Sequence, residues 1–316
     1  MGGRHARNLA RHVAHAEVEA VMDVDLERAA QVAAECGQAQ VFNDAEALIY
    51  NPNVDAVIIA SPDPTHARLT LACLAAGKPV LCEKPLATSA AEALEVVRAE
   101  EALGRRLVQV GFMREYDPAH RALLDPTVQE QIGRPLLFHG LHTNLSIGVD
   151  RTVEDVIVNS AIHDIHSARW LLNDEVSEVF VQYIPASVDA PETCRLLLVH
   201  MRMSRGGLAV IECNVDAGYG YEVSVTLTGE RGTATTQSLS SPVVRGAHGA
   251  SQAVEADWLA RFDEAYIREV QAWTQSVLDG KPAGPSAWDG YAALVIADAC
   301  IQSARRRERV KIDKVT

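Results

Sequence analysis

The stretch VEDVIVNSAIHDIHSARWLL at 153–172 holds polar side chains whose types and spacing could do chemistry. Asp155, Asn159, His163 and His166 fall at i, i+4, i+8 and i+11. A continuous α-helix would project them from one side, with Asp164 pointing elsewhere. A neutral imidazole at His163 could take the proton of an alcohol near neutral pH, the range that histidine's intrinsic pKa suits. Asn159, one turn earlier, could orient that imidazole or the molecule it acts on. The same residues also fit a polar seam between domains or plain helix packing. His163 with His166 could bind a metal, but no HExxH motif or nearby cysteine completes a ligand set, so no metal is expected.

Lys84, in CEKP (82–85), follows a strand-like run and so falls at the carboxyl edge where open α/β sheets bind ligands. Its ammonium could donate to a hydroxyl there, or simply be solvated at a strand end. Pro85 fixes the backbone after it and admits a cis bond. Asp23 ends VEAVMD (18–23). A carboxylate at such a strand tip accepts hydrogen bonds from an adenosine ribose and repels a 2′-phosphate. Within MDVD it fits equally a helix N-cap or a turn. Val24 follows where an arginine would be needed to pair with that phosphate. About twenty residues upstream, MGGRHARNLA puts Gly2 and Gly3 where the last glycine of a G-x-G-x-x-G turn belongs, a weak signal by itself.

These residues need a scaffold, and the chain supplies two rhythms. From 18 to 111, the apolar runs VEAVMD, VDAVIIASP, KPVLCEKP and RLVQVGF alternate with the helical stretches LERAAQVAAECG, HARLTLACLAAGK and SAAEALEVVRAEEALG. Continuous apolar strands separated by helices predict βαβ units in a parallel sheet buried on both faces. Gly37, Gly77 and Gly104 stand where those helices should stop. After about residue 135, PLLFHGLHTN, VSEVFVQYIP, CRLLLVHMRMS, GLAVIECNVD, YEVSVTLTGE and GTATTQSLS read as neighbouring strands, with one helix over 155–172 before most of them. They predict a mostly antiparallel open sheet packed on one face by helices. Helix returns over 258–303. The expected division is an α/β dinucleotide-binding domain at 1–113 and an α+β domain at 114–316, whose C-terminal segment could pack back on the first.

Totals bound the partners. With 316 residues and 48% hydrophobic content, the chain can bury two cores. A formal charge of −13 argues against nucleic acid and anionic membrane surfaces. Six singly scattered cysteines suit a reducing compartment. No signal-peptide core or spanning run is visible, so a cytoplasmic location is expected.

Taken together, MGGRHARNLA, VIIASPDPTHA, GKPVLCEKPLATS, VGFMREYDPAH, IHDIHSARWLL, GYEVSVTLTGERGTA, RFDEAYIREVQAW and GPSAWDGYAALVIADAC resemble the Gfo/Idh/MocA oxidoreductase family, above all its inositol 2-dehydrogenase branch. The resemblance implies reversible oxidation of a secondary alcohol on a sugar or cyclitol, with hydride passing to the nicotinamide of NAD(P), and Asp23 followed by Val24 favours NAD over NADP. It places the EKP lysine on Lys84, bonded to the reacting hydroxyl, and the proton-accepting histidine on His163. Asn159 joins them as the third catalytic position. It puts Met113 and Arg114, His142 and Asn144 of LHTNL, His166, and Tyr221 of GYGYE around the substrate. Gly2, Gly3, Asp23, Ser61, Pro62, His66, Glu83 and Lys84 would face the cofactor. Lys84 and His163 are then expected within a few ångströms of a common pocket between the domains.

Two departures stand out. The family often has aspartate where this chain has Asn159, which removes a charge that would stabilise an imidazolium at His163. His166 stands where HDID would carry aspartate. The family's opening strand and G-x-G-x-M-G-x-x-H-A turn align with this chain only from the last glycines, so the resemblance implies about a dozen further residues upstream and a start codon assigned too late. Residues 4–11 are expected to be helical, with an unfilled strand position at the centre of the sheet. A homo-oligomer, dimer or tetramer, is expected. The competing reading is a sensor of the same fold that binds sugar and nucleotide without turnover.

Overall fold

The computed structural model describes residues 1–146, 148–236, 243–247 and 249–313. Its contacts divide the chain into two compact units, 1–116 with 264–294, and 117–263 with 295–316.

In the first unit, helices and strands alternate: α1 (Gly2–His12), β1 (Ala20–Met22), α2 (Leu26–Glu35), β2 (Gln40–Phe42), α3 (Ala45–Ile49), β3 (Val57–Ile59), α4 (His66–Ala75), β4 (Val80–Glu83), α5 (Ala90–Ala102) and β5 (Val108–Gly111). All the pairings are parallel, β1 with β2 and β3 through β4 to β5. Every residue of β4 and β5 is buried, which is why these strands read as mostly apolar runs without alternation, with only Gln109 and the terminal Glu83 polar. β1 and β3 do not pair with each other, and neither has a second strand neighbour among the described residues.

Local chemistry sets the helix limits. Asp25 caps α2 by accepting from the amides of Glu27 and Arg28, and Ser89 caps α5 through the amide of Glu92. The three expected stop glycines follow α2, α4 and α5 with φ of 84°, 69° and 64° at Gly37, Gly77 and Gly104. Such left-handed backbone carries the least penalty without a Cβ. The expected helix at 4–11 extends to Gly2–His12. Val13, at its end, packs with Leu81, Val270 and Trp273.

The second unit has α6 (Pro118–Ala122), α7 (Pro126–Ile132), β6 (Pro135–Leu145) and α8 (Val153–Val156). A π-helical segment, Ile157–Ala161, leads into α9 (Ile162–Leu172). Strands β7 (Val176–Ile184), β8 (Leu196–Met203), β9 (Leu208–Ala217), β10 (Glu222–Gly229) and β11 (Thr233–Thr235) follow, then a hairpin of β12 (Val243–Gly246) and β13 (Gly249–Gln252). The chain ends in α10 (Trp258–Arg261), α11 (Asp263–Asp279), α12 (Ala287–Arg306) and β14 (Val310–Lys311). The large sheet runs β11-β10-β6-β9-β8-β7-β14. Only β6–β9 pairs in parallel, so the expected open sheet is mostly antiparallel but mixed. Burial alternates along β8, β9 and β10, and the inward face packs with Ile157, Ile165 and Ala168 of the helical side.

The helix expected over 155–172 is not a continuous α-helix, because the π segment at Ile157–Ala161 interrupts its register. Asp155 and Asn159 are exposed, whereas His163 and His166 are buried. The wider i→i+5 turn displaces what four-residue spacing would align. Asp164, expected to point away, is fully buried. The end of GTATTQSLS, residues 237–240, lies outside the described residues.

Candidate active site

In the first unit, α1 begins at Gly2 with no side-chain cap and no acidic residue in its first turn, leaving its amide end suited to an anion. A Cβ built on Gly2 would meet only Ala60, at 3.8 Å, so the protein itself does not crowd that face. Asp23 lies just beyond β1 and is held from two sides. The amide of Asp25 donates to its Oδ1 at 3.0 Å, and Arg28 donates from Nε to Oδ2 at 2.7 Å and from Nη2 to Oδ1 at 2.5 Å. The hydrogen bond from Arg28, above all, holds the Asp23 carboxyl below its usual range.

The CEKP turn is fastened from beneath. His5 Nε2 sits 2.7 Å from Glu83 Oε1, with both residues buried, so α1 is tied to the last residue of β4. Tyr266 meets the His5 ring edge-on at 5.9 Å. Burial pushes the Glu83 carboxyl up, but the His5 hydrogen bond and charge and the neighbouring Lys84 outweigh it, and the net direction is down. Lys84 is partly exposed. Desolvation depresses its ammonium, Glu83 and Asp63 oppose that, and Arg114 adds to it. The Lys84–Pro85 bond is cis. A second carboxyl, Glu269, is fully buried with no hydrogen-bond partner for either oxygen among the described residues, and burial, then Glu83 and Glu115, raise it well above the ordinary value. Sequence reading missed His5 and Glu269, although His5 lies in a stretch it had singled out.

His66 joins two loops, because its Nδ1 lies 2.7 Å from the Pro85 carbonyl oxygen and its Nε2 2.8 Å from that of Ser61. With both nitrogens on backbone carbonyls, it fixes the SPDPTH loop against the lysine turn. Ser61 is half-buried, its hydroxyl 2.5 Å from that of Thr65, and Pro62 is exposed. Met113 and Arg114 are both buried in a 3₁₀ turn, Met113–Tyr116.

In the second unit, α9 and β6 bring several of the expected residues together. His142 Nδ1 lies 2.8 Å from Asp164 Oδ2, and its Nε2 lies 3.3 Å from the hydroxyl of Tyr221. The Asp164 carboxylate therefore fixes the orientation of His142, and Tyr221 stands edge-on to it at 5.6 Å. Cys213 adds a sulfur, and one atom each from His142, Asp164 and Cys213 lie within 4.8 Å of one another, a group that could hold a metal. Hydrogen bonds already account for both His142 nitrogens. Asn144 is half-buried, and its Nδ2 is shielded from solvent with no protein acceptor among the described residues, so a donor is left for a ligand. His163 is 8% exposed and His166 2%. The Ser167 hydroxyl donates to the His163 carbonyl at 2.8 Å, which pins the backbone one turn on.

Residues 1–112 match a family model described as an oxidoreductase family, NAD-binding Rossmann fold, and 128–312 match the C-terminal alpha/beta domain of the same family. The chain is 50% identical over 315 residues to an inositol 2-dehydrogenase from Rubrobacter xylanophilus, covering 99% of this chain and 90% of that protein. It is 42% identical to inositol 2-dehydrogenase 1 from Saccharopolyspora erythraea, covering 99% and 94%. Among solved structures, myo-inositol dehydrogenase from Lactobacillus casei in complex with NAD(H) and myo-inositol superposes with a TM-score of 0.94 at 33% identity, covering 100% of this chain and 95% of that one.

Proposed function

The chain belongs to the Gfo/Idh/MocA oxidoreductase family, and from that premise we propose that it oxidises a secondary hydroxyl of a cyclitol, in the manner of an inositol 2-dehydrogenase, with NAD as the oxidant. The observation that carries this reading is likeness to such dehydrogenases along almost the whole chain.

The residues present fit the cofactor. The uncapped start of α1 suits a pyrophosphate, and Asp23 suits the ribose hydroxyls. Bound NAD supplies a hydride acceptor at the nicotinamide ring. The protein's part is to choose the alcohol, hold it and take its proton. Lys84 donates to the reacting hydroxyl and stabilises negative charge on its oxygen, and His163 accepts the proton. Asn144 offers an amide donor to a ring hydroxyl, while His142 is held by Asp164 to present one orientation. Asn159, exposed one step before His163, takes the place of a charged partner. His66 acts by positioning the two loops it joins.

Six buried free thiols support a reducing compartment, and we assign the protein to the cytoplasm. No helix among the described residues is long and apolar enough to cross a membrane. The outward-facing residues of β8, β9 and β10 are only partly buried, which supports self-association through the sheet as a homo-oligomer, readable by sedimentation.

The test is NAD reduction, followed by absorbance, over myo-inositol, scyllo-inositol and a set of aldoses. Turnover with a cyclitol is expected. His163→Ala should lower kcat by about 10²–10⁴-fold, with a smaller change in NAD affinity. NAD binding without turnover of any of these alcohols would overturn the enzyme reading in favour of a sensor.

A further inference from the structure

Asp23 accounts for NAD preference only if something holds its carboxylate in place. The structure supplies Arg28, in the first turn of α2 and five residues on. Its Nε and Nη2 form one edge of the guanidinium fork, and that edge is spent on the two oxygens of Asp23, at 2.7 Å and 2.5 Å. A bidentate pair of this kind fixes geometry as well as charge. Phosphate and carboxylate present the same two-oxygen face to arginine. Asp25, the other acid within reach, is 3.8 Å from Nη1, and its Oδ1 already accepts from the amides of Glu27 and Arg28. Arg28 is 58% exposed on its side chain and Val24 is 87% exposed, so neither is locked into the core.

We propose that Arg28 is a second determinant of cofactor choice: in the native chain it orients Asp23 towards the ribose, and it is a ready-made 2′-phosphate ligand that Asp23 keeps occupied. This rests on Asp23 lying at the adenosine ribose. The sequence suggested that NADP use would require an arginine at Val24 in addition to loss of Asp23. The geometry points to an arginine already at hand. With Asp23 in place, a 2′-phosphate meets a carboxylate, and the matching edge of Arg28 is taken. With Asp23 replaced by a small neutral residue, the repulsion goes and that edge is released together. One substitution therefore does the work of two, provided that Arg28 remains.

The experiment compares wild type, Asp23→Ser, Arg28→Leu and Asp23→Ser/Arg28→Leu. Binding of NAD and NADP is measured by calorimetry, and kcat/KM for both cofactors is measured with the preferred alcohol. Both substitutions are at solvent-accessible side chains, and melting temperatures identify any variant that is not folded. Asp23→Ser should gain NADP affinity by about 10- to 100-fold, the scale of a charge-assisted hydrogen bond made and a repulsion removed. Removing Arg28 in that background should reverse the gain. Arg28→Leu alone should weaken NAD while NADP remains excluded. If the double variant bound NADP as well as Asp23→Ser does, Arg28 would have no part in the selection and the proposal would fail. An unchanged NAD/NADP ratio in Asp23→Ser would overturn it too, by removing Asp23 from the ribose. Because calorimetry needs no turnover, both results are distinct from a failure to oxidise cyclitols.

Discussion

In the proposed reaction Lys84 can donate to an alcohol only while it carries its proton, and desolvation works against that. Desolvation and Arg114 lower its pKa, while Glu83 and Asp63 hold it up. Glu83 can do so because His5 keeps its carboxyl ionised in a buried position. Replacing Glu83 with Gln removes the raising charge, so the Lys84 pKa should fall further and the neutral amine should appear at lower pH. The alkaline limb of kcat/KM in Glu83→Gln should therefore move to lower pH than in wild type, with the acid limb little changed. A limb that stayed in place would show that Glu83 does not tune the lysine. Cysteine supplies the contrast at this scale. Burial pushes the Cys73, Cys82 and Cys194 thiols up to about 12, so they serve as small apolar residues rather than nucleophiles.

At the scale of elements, the helix of His163 is held by how closely it lies on β6. Gly140 lies on that strand, and a Cβ there would come within 2.8 Å of the Phe138 ring and 3.3 Å of Asp164 Oδ1. Gly140→Ala should cost about 1–3 kcal/mol by overpacking. It should also lower turnover, because Asp164, which orients His142, would have to move. Equal stability and equal kcat, from thermal melts and assays on the same preparation, would show that the close approach does not matter. The elements with a strong period were legible in the sequence. The buried runs of β4 and β5, the alternation of β8 to β10 and the stop glycines of α2, α4 and α5 all declared themselves. The three-residue β2, with two exposed residues, carried no such period, and neither did the wholly exposed hairpin of β12 and β13. The π segment was invisible because an extra residue in a helical turn leaves composition and apolar pattern nearly unchanged. In the site, residue types and rough placement were legible, but the hydrogen-bond partners of His5, His66 and Asp23 were not. The partner of His5 lies 78 positions away and one of those of His66 lies 19 away, while Arg28 is only five residues from Asp23 but meets it through a turn that carries no periodic signal.

For the whole molecule, the paired carboxyls and an unpaired buried one pull stability in opposite directions with pH. Asp117 is raised by burial, but His120 and Arg261 outweigh this and hold its carboxyl far below the ordinary range. Asp23 is lowered chiefly by Arg28. Such groups bind fewer protons folded than unfolded, so their stabilisation is present above the ordinary carboxyl range and is lost as pH falls through their depressed values. Glu269 behaves in the reverse sense. Burial with Glu83 and Glu115 raises it, so the folded state binds the extra proton and stability declines as pH rises from the ordinary carboxyl value towards the raised one. Glu269→Gln keeps the shape of the protonated acid and removes its ionisation, so the decline towards neutral pH should flatten while the acid limb, set by Asp117 and Asp23, stays where it is. Thermal melts of both proteins across the acid-to-neutral range provide the check. Parallel curves at every pH would mean that Glu269 shares its proton or its burial with water in a way that cancels the shift.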